Sequence, residues 1–209
     1  MTDSSKNFCQ LVQKVWPELK KERVLQVYSF FQHILTENKT QNLTRITDTE
    51  SFIDRNVLDV KALVDSKFLN GKLVDMGSGG GVPGLLCAIT DPTPWVLTES
   101  EQTKASFLVE AIKNLNLSEP VSVYPGRTEV FLKTETADCV VVRAVGSLSK
   151  IYRILRPCST WNSLVLLKGK KWKDEYVEFM ESPFNKELNI HGEHHYKSLD
   201  GSAERVIIK

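Results

Sequence analysis

The chain is expected to fold as an α/β unit. Its sheet should be mostly parallel and seven-stranded, with helices on both faces and a helical extension in front. Three observations carry this reading. Residues 6 to 66 show helical apolar spacing throughout. From Lys72 onward, short β-branched runs alternate with helical segments, the order that builds a parallel sheet covered on both sides. Near the end, Asp200-Gly201 separates two further strand-like runs, so the sheet should close with an antiparallel hairpin.

The elements follow in order. Leu11, Val12, Val15 and Trp16 form one apolar cluster, and Pro17 sits where a second helix can begin. Val24, Leu25, Val27, Tyr28, Phe31, Ile34 and Leu35 recur at helical spacing, and the polar stretch Thr36 to Thr44 is expected to end that helix. Thr49 or Ser51 should open the next, with Phe52, Ile53, Val57, Leu58, Val60, Leu63 and Val64 as its buried stripe. Strands are expected at 72–76, 95–98, 120–124, 138–143 and 163–168, with helices between them at 83–90, 102–116, 127–133 and 148–155. A helix at 173–181 precedes the final strands, Leu188 to Tyr196 and Arg205 to Ile208. The organisation read from this is an extension over 1–66, packed on the core, and a ligand-binding domain over 67–209.

Composition narrows the class. With 209 residues, 41% of them hydrophobic and 25% charged, one globular unit with a sizeable core is expected. No stretch is apolar for long enough to span a bilayer, and Met1-Thr2-Asp3-Ser4-Ser5-Lys6 lacks the basic-then-apolar pattern of a secretory signal. Cys9, Cys87, Cys139 and Cys158 are scattered without a C-x-x-C pair, which speaks against a zinc site and a disulfide framework. A reducing cytoplasm is therefore the default, with no metal expected; the chain is taken as a monomer, although the sequence does not itself reveal the oligomeric state. The net charge of +1 neither demands nor excludes a nucleic-acid partner; local clustering must decide.

Asp75-Met-Gly77-Ser-Gly79-Gly-Gly81-Val82-Pro-Gly84 is the most informative segment. An apolar strand ends in a carboxylate, breaks into glycines and restarts as a helix at Val82-Pro83. Glycines let a ligand lie against bare main chain, and the helix start offers free N–H groups. Two ligands compete for such a loop. The glycines satisfy the dinucleotide spacing G-x-G-x-x-G, and they also satisfy acid-x-Gly-x-Gly-x-Gly, the usual loop for S-adenosylmethionine. The second fits better, because Asp75 at the strand tip would repel a pyrophosphate but attract an ammonium.

Later strand ends add candidates. Glu99 closes the second strand some 20 residues beyond the loop, where an acid grips ribose hydroxyls. Thr128 and Glu129 follow the third strand, in the loop that reads adenine in methyltransferases, with Arg127 beside them. Arg143 ends an otherwise apolar strand; it is read as a site residue on the cofactor carboxylate, the alternative being an ion pair with a neighbouring acid. Lys168, Lys170, Lys171 and Lys173 surround Trp172 at the next strand end, a pattern suited to phosphate contacts and base stacking. His191, His194 and His195 have no partner at ligand spacing for a metal. Cys158 falls a helix too late to be the nucleophile that cytosine-C5 methylation needs, and is read as a small buried residue.

The ordered set of motifs resembles the RsmG (GidB) family of bacterial methyltransferases. The shared pieces are Asn38-Lys39-x-x-Asn42-Leu43-Thr44, Arg55-x-Val57-Leu58-Asp59, Asp75 through Gly84, Arg127-x-Glu129, Arg143-Ala144 with Ser147-Leu148, Leu167-Lys168-Gly169, and Glu204-Arg205 before Val206-Ile207-Ile208. The chain departs from the family at Glu37, Asn56, Glu99, Thr103-Lys104 and Val142, where Trp, His, Asp, Lys-Arg and Ser are usual. The resemblance implies a Rossmann-like class I methyltransferase fold and transfer of a methyl group from S-adenosylmethionine to guanine N7 in small-subunit (16S) ribosomal RNA, within the 30S particle. Another RNA or a small molecule is the alternative acceptor. It further implies that Asp75, Gly77, Gly79, Val82, Glu99, Thr128, Glu129 and Arg143 hold the cofactor. Arg127, Lys168 and Arg205 would position the site. Asn42, Thr44, Arg45, Lys170, Lys171 and Lys173 would bind RNA backbone.

Overall fold

The apolar stripes of the first third fold as helices. The structure, a computed structural model, describes residues 3–117 and 120–209, so the first two residues of the expected extension lie outside the described residues. Helices α1 (Asp3–Val15) and α2 (Lys21–Gln41) bury Phe8, Val12, Val24, Val27, Phe30, Phe31 and Ile34. Helix α2 runs on through the polar residues expected to stop it. Polarity alone does not unwind a surface helix; the stop comes at Asn42, which takes the left-handed conformation at φ 50°. Asp48 then caps the next helical stretch by accepting the Ser51 N–H at 2.8 Å. That stretch comprises α3 (Thr49–Phe52), a π-helical turn (Ile53–Val57) and α4 (Leu58–Asp65).

Strands and helices then alternate: β1 (Leu73–Met76), α5 (Gly84–Thr90), β2 (Trp95–Thr98), α6 (Gln102–Leu115), β3 (Val121–Tyr124), α7 (Thr128–Phe131), β4 (Ala137–Arg143), α8 (Leu148–Leu155), β5 (Trp161–Gly169), α9 (Trp172–Met180), β6 (Glu193–Lys197) and β7 (Glu204–Ile208). The sheet order is β3-β2-β1-β4-β5-β7-β6, with β7 antiparallel to both of its neighbours and the rest parallel. From β1 the chain winds outward to β3 and then returns to β4 on the other side. The carboxyl ends of β1 and β4 thus form the switch point at which ligands bind in such sheets.

Side-chain alternation divides the core in two. Leu73, Leu97, Cys139, Val141, Val165, Leu167 and Ile207 pack with residues of α1 to α6. Val74, Met76, Val140, Val142, Leu164, Leu166, Val206 and Ile208 pack with residues of α7 to α9. The first cluster takes in Phe8, Phe31 and Phe52 of the leading helices, with the Phe31 and Phe52 rings 4.4 Å apart. Each such buried ring contributes about 1.5–3 kcal/mol.

Three boundaries differ from expectation. Helix α5 starts at Gly84 rather than at Val82-Pro83, and α7 is a single turn rather than 127–133. Strand β6 begins at Glu193, not Leu188, because the register with β7 runs out where Glu193 faces Ile208. His191 and Gly192 donate instead to the Lys209 carbonyl. Strand β6 is an outer edge of the sheet, with Glu193, His195 and Lys197 exposed.

Candidate active site

Register brings the strand ends together. Asp75 lies beside Leu97 and Val141, Met76 beside Thr98 and Val142, Arg143 beside Leu167, and Lys168 beside Val206. Asp75, Glu99, Arg143, Lys168 and Arg205 therefore share one edge of the sheet.

On the β1–β2 side, one oxygen of Asp75 (Oδ2) accepts the Gly84 N–H at 3.0 Å, at the start of α5. The other, Oδ1, is buried and has no hydrogen-bond partner among the described residues. Burial pushes the Asp75 carboxyl up to about 6, against the pull of the Gly84 N–H. A side chain at Gly84 has no room: an added Cβ would lie 2.6 Å from Leu97 Cδ2 and 2.7 Å from Asp75 Cβ. Gly77, at φ 71°, leaves its backbone exposed beside Asp75. Glu99 braces the loop, accepting the Gly79 N–H and the Glu101 N–H at 2.8 Å each. Thr98 Oγ1 donates to the Asp75 carbonyl at 2.8 Å and meets Thr128 Oγ1 at 2.6 Å, so the buried Thr128 is tied to the same floor. A buried carboxylate oxygen beside exposed glycine backbone lacks the donor that such groups ordinarily have.

On the β4–β7 side, each guanidinium nitrogen of Arg143 has a partner. Its guanidinium donates to Asn56 Oδ1 at 2.9 Å and to the Arg55 carbonyl at 2.7 Å, and its Nε lies 3.3 Å from Asp59. This is the neighbouring-acid arrangement that the sequence offers as the alternative to a cofactor contact. Arg205 donates to Asp59 Oδ1 at 2.9 Å and to the Asp54 carbonyl at 2.5 Å, and pairs with the Asp54 carboxylate. Tyr196 donates to Asp59 Oδ1 at 2.9 Å. Burial raises the Asp59 carboxyl, and the two guanidiniums oppose that shift. Asp59, in the first turn of α4, thus links β4, β6 and β7 to the leading helices. A cleft of about 870 Å³ opens over this cluster, walled by Ala144, Gly146, Lys168, Lys170 and the β6–β7 turn.

The architecture is a doubly wound α/β fold, and sequence comparison identifies the family. Residues 23–200 match the family described as GidB, rRNA small subunit methyltransferase G. The chain belongs to this family. It is similar to ribosomal RNA small subunit methyltransferase G of Rhodopirellula baltica, 38% identical over 163 residues, which is 77% of this chain and 70% of that protein. The protein of the same name from Hydrogenovibrio crunogenus is 35% identical over 180 residues, 82% and 77% of the two chains. Among solved structures, M. capricolum TrmK in complex with S-adenosylhomocysteine shares the fold, with a TM-score of 0.52 at 14% identity over 71% of this chain and 67% of that one.

The remaining residues highlighted by the resemblance to the methyltransferase G family are placed as follows. Val82 is half-buried and packs against the first core cluster. Arg127 is exposed ahead of α7, and Glu129, half-buried, accepts the Cys158 thiol at its carbonyl. Asn42, Thr44 and Arg45 lie in the loop after α2, where the Thr44 N–H donates to Asn38 Oδ1 at 2.8 Å. Leu43 seats that loop against the glycines, its carbonyl 3.6 Å from where a Cβ on Gly80 would stand. Lys168 donates to the Gly146 carbonyl at 2.7 Å and to Glu175 at 2.6 Å. Lys170, Lys171 and Lys173 are exposed, but Trp172 offers no stacking face to a base: it is buried in the second core cluster, 6.3 Å from the Tyr176 ring. Asp54, Asp59, Thr98 and Glu175 were not singled out as site residues from the sequence. Of these, only Asp59 carried a signal, as a carboxylate inside an apolar helical stripe.

Proposed function

We propose that this chain transfers a methyl group from S-adenosylmethionine to N7 of a guanine in 16S ribosomal RNA, acting as a cytoplasmic monomer without metal on the assembled or assembling 30S particle. The observation that carries the cofactor assignment is the Asp75 carboxylate, buried, half-satisfied and bordered by bare glycine backbone. When bound, the cofactor supplies an electrophilic methyl on a positively charged sulfur. Asp75 Oδ1 takes the ammonium of its methionine moiety, which supplies the missing donor. Gly77 and Gly79 present main chain, and Glu99 keeps lone pairs for the ribose hydroxyls while bracing the loop. Thr128 and Glu129 border the adenine through their backbone, and Val82 closes the loop side. Arg143, committed to Asp59, shapes the boundary between cofactor and acceptor sides without reaching for the cofactor itself.

Guanine N7 has an in-plane lone pair and no proton, so the acceptor needs no general base. The work of the chain is alignment and exclusion of water. Arg205 and Lys168 hold the walls of the acceptor cleft, Arg127 lies at its cofactor-side rim, and Asn42, Thr44, Arg45, Lys170, Lys171 and Lys173 bind RNA phosphates. A net charge of +1 gives little general attraction to free RNA, which favours a structured ribosomal particle as substrate. The test is methylation of 30S subunits, and separately of naked 16S RNA, from a strain lacking the gene, with the modified base located by chemical cleavage. Incorporation at guanine N7, stronger on the particle, is expected; incorporation at any other atom overturns the assignment.

A further inference from the structure

The segment between β4 and α8, residues 144–147, is held in an uncommon shape. Ala144 sits at φ 58°, a left-handed conformation that costs a residue with a Cβ and persists only where its surroundings enforce it. Two contacts enforce it from one side. The Lys168 ammonium donates to the Gly146 carbonyl at 2.7 Å, and the Leu148 N–H donates to Glu175 Oε2 at 3.0 Å. That same carboxylate oxygen receives Lys168 at 2.6 Å. On the opposite side the segment lies beside the glycine loop: a Cβ added to Gly77 would stand 3.2 Å from Val145 Cγ2. Ala144 and Gly146 also wall the acceptor cleft. One short segment therefore touches both halves of the site, and a carboxylate on α9 fixes it.

We propose that Glu175 is a positioning residue for methyl transfer: through Lys168 and Leu148 it holds Val145 beside Gly77 and so fixes the distance between the cofactor loop and the acceptor cleft. The inference rests on the methyltransferase reading above. Glu175 also lines the acceptor cleft, but its carboxylate is taken up by Lys168 and the Leu148 N–H, and it acts through them. Its effect belongs to alignment, where an error of about 1 Å costs on the order of a hundredfold in rate.

The test is Glu175→Gln in the full-length protein. The amide keeps an acceptor for the Leu148 N–H and removes the charge that holds Lys168. We expect kcat on 30S particles to fall roughly 10- to 100-fold with the cofactor dissociation constant changed by less than about threefold. The Gly77 amide resonance should shift in the ligand-free protein, and the Leu148 amide should exchange faster. Val145→Ala trims the same contact from the other end without touching the ion pair, and should give the same division between kcat and cofactor affinity. A wild-type kcat in both variants overturns the proposal, as does an unshifted Gly77 resonance. A loss of kcat that follows only a parallel loss of cofactor affinity and thermal midpoint also overturns it, since that is mere destabilisation. Wild-type protein that binds cofactor but leaves 16S RNA unmodified overturns the functional reading instead; the Gly77 resonance still decides the role of Glu175.

Discussion

At the scale of single residues, Asp75 sets the terms. Its carboxyl titrates at about 6 in the folded chain, against 3.8 ordinarily, because burial penalises the charge. Between those values the folded protein holds a proton that the unfolded chain has lost. Stability of the ligand-free protein must therefore fall as pH rises from about 4 to 6, by about 3 kcal/mol in all. Urea midpoints measured across that range should show the decline, and Asp75→Asn should flatten it. The same variant should lose cofactor binding in calorimetry; retained affinity would show that the unpaired oxygen is not the ammonium site. This part of the site was legible beforehand. Asp75, Gly77, Gly79 and Glu99 lie near enough in sequence, and in a regular enough pattern, for strand-loop-helix geometry to predict their meeting. Glu175 was not legible, because nothing in a run of surface-helix residues marks the one whose carboxylate turns back toward a loop 27 residues away.

At the scale of elements, the π-helical turn is the part that periodicity could not reveal. Its apolar stripe was recognised, yet the extra residue in the turn lets Asp54, Asn56 and Asp59 address one cluster. The partners lie 87 residues away for Asn56 and Arg143, and 151 for Asp54 and Arg205, beyond the reach of local pattern. Truncating one member of such a cluster strands its counter-ions. Asp59→Ala leaves Arg143 and Arg205 facing each other with Asp54 as the remaining acid, and should cost about 3–5 kcal/mol in chemical denaturation. Asp59→Asn, which preserves an acceptor for Tyr196, should cost less. Equal stability of Asp59→Ala and wild type would mean that the cluster is not holding the helical extension to β4 and β7. The over-long prediction for β6 has a similar origin: strand-like residues continue back to Leu188, but a strand extends only as far as its neighbour offers partners.

For the whole molecule, near-neutral charge means that RNA attraction must be local. Lys170, which lines the cleft, and the neighbouring Lys171 and Lys173 supply an exposed group of cations. Replacing all three by Ala should reduce the slope of log affinity against log salt by about two to three units, at about 0.7–0.9 per phosphate contact, with cofactor affinity unchanged. An unaltered slope would move the RNA path elsewhere on the surface. One property of the sheet bears on contact between copies. Its outermost strand beyond β7 presents alternating acid, imidazole and ammonium groups to water. Unsatisfied strand edges invite neighbours to dock along them, and charge of that kind turns them away. Copies crowded side by side would thus find no join along this border.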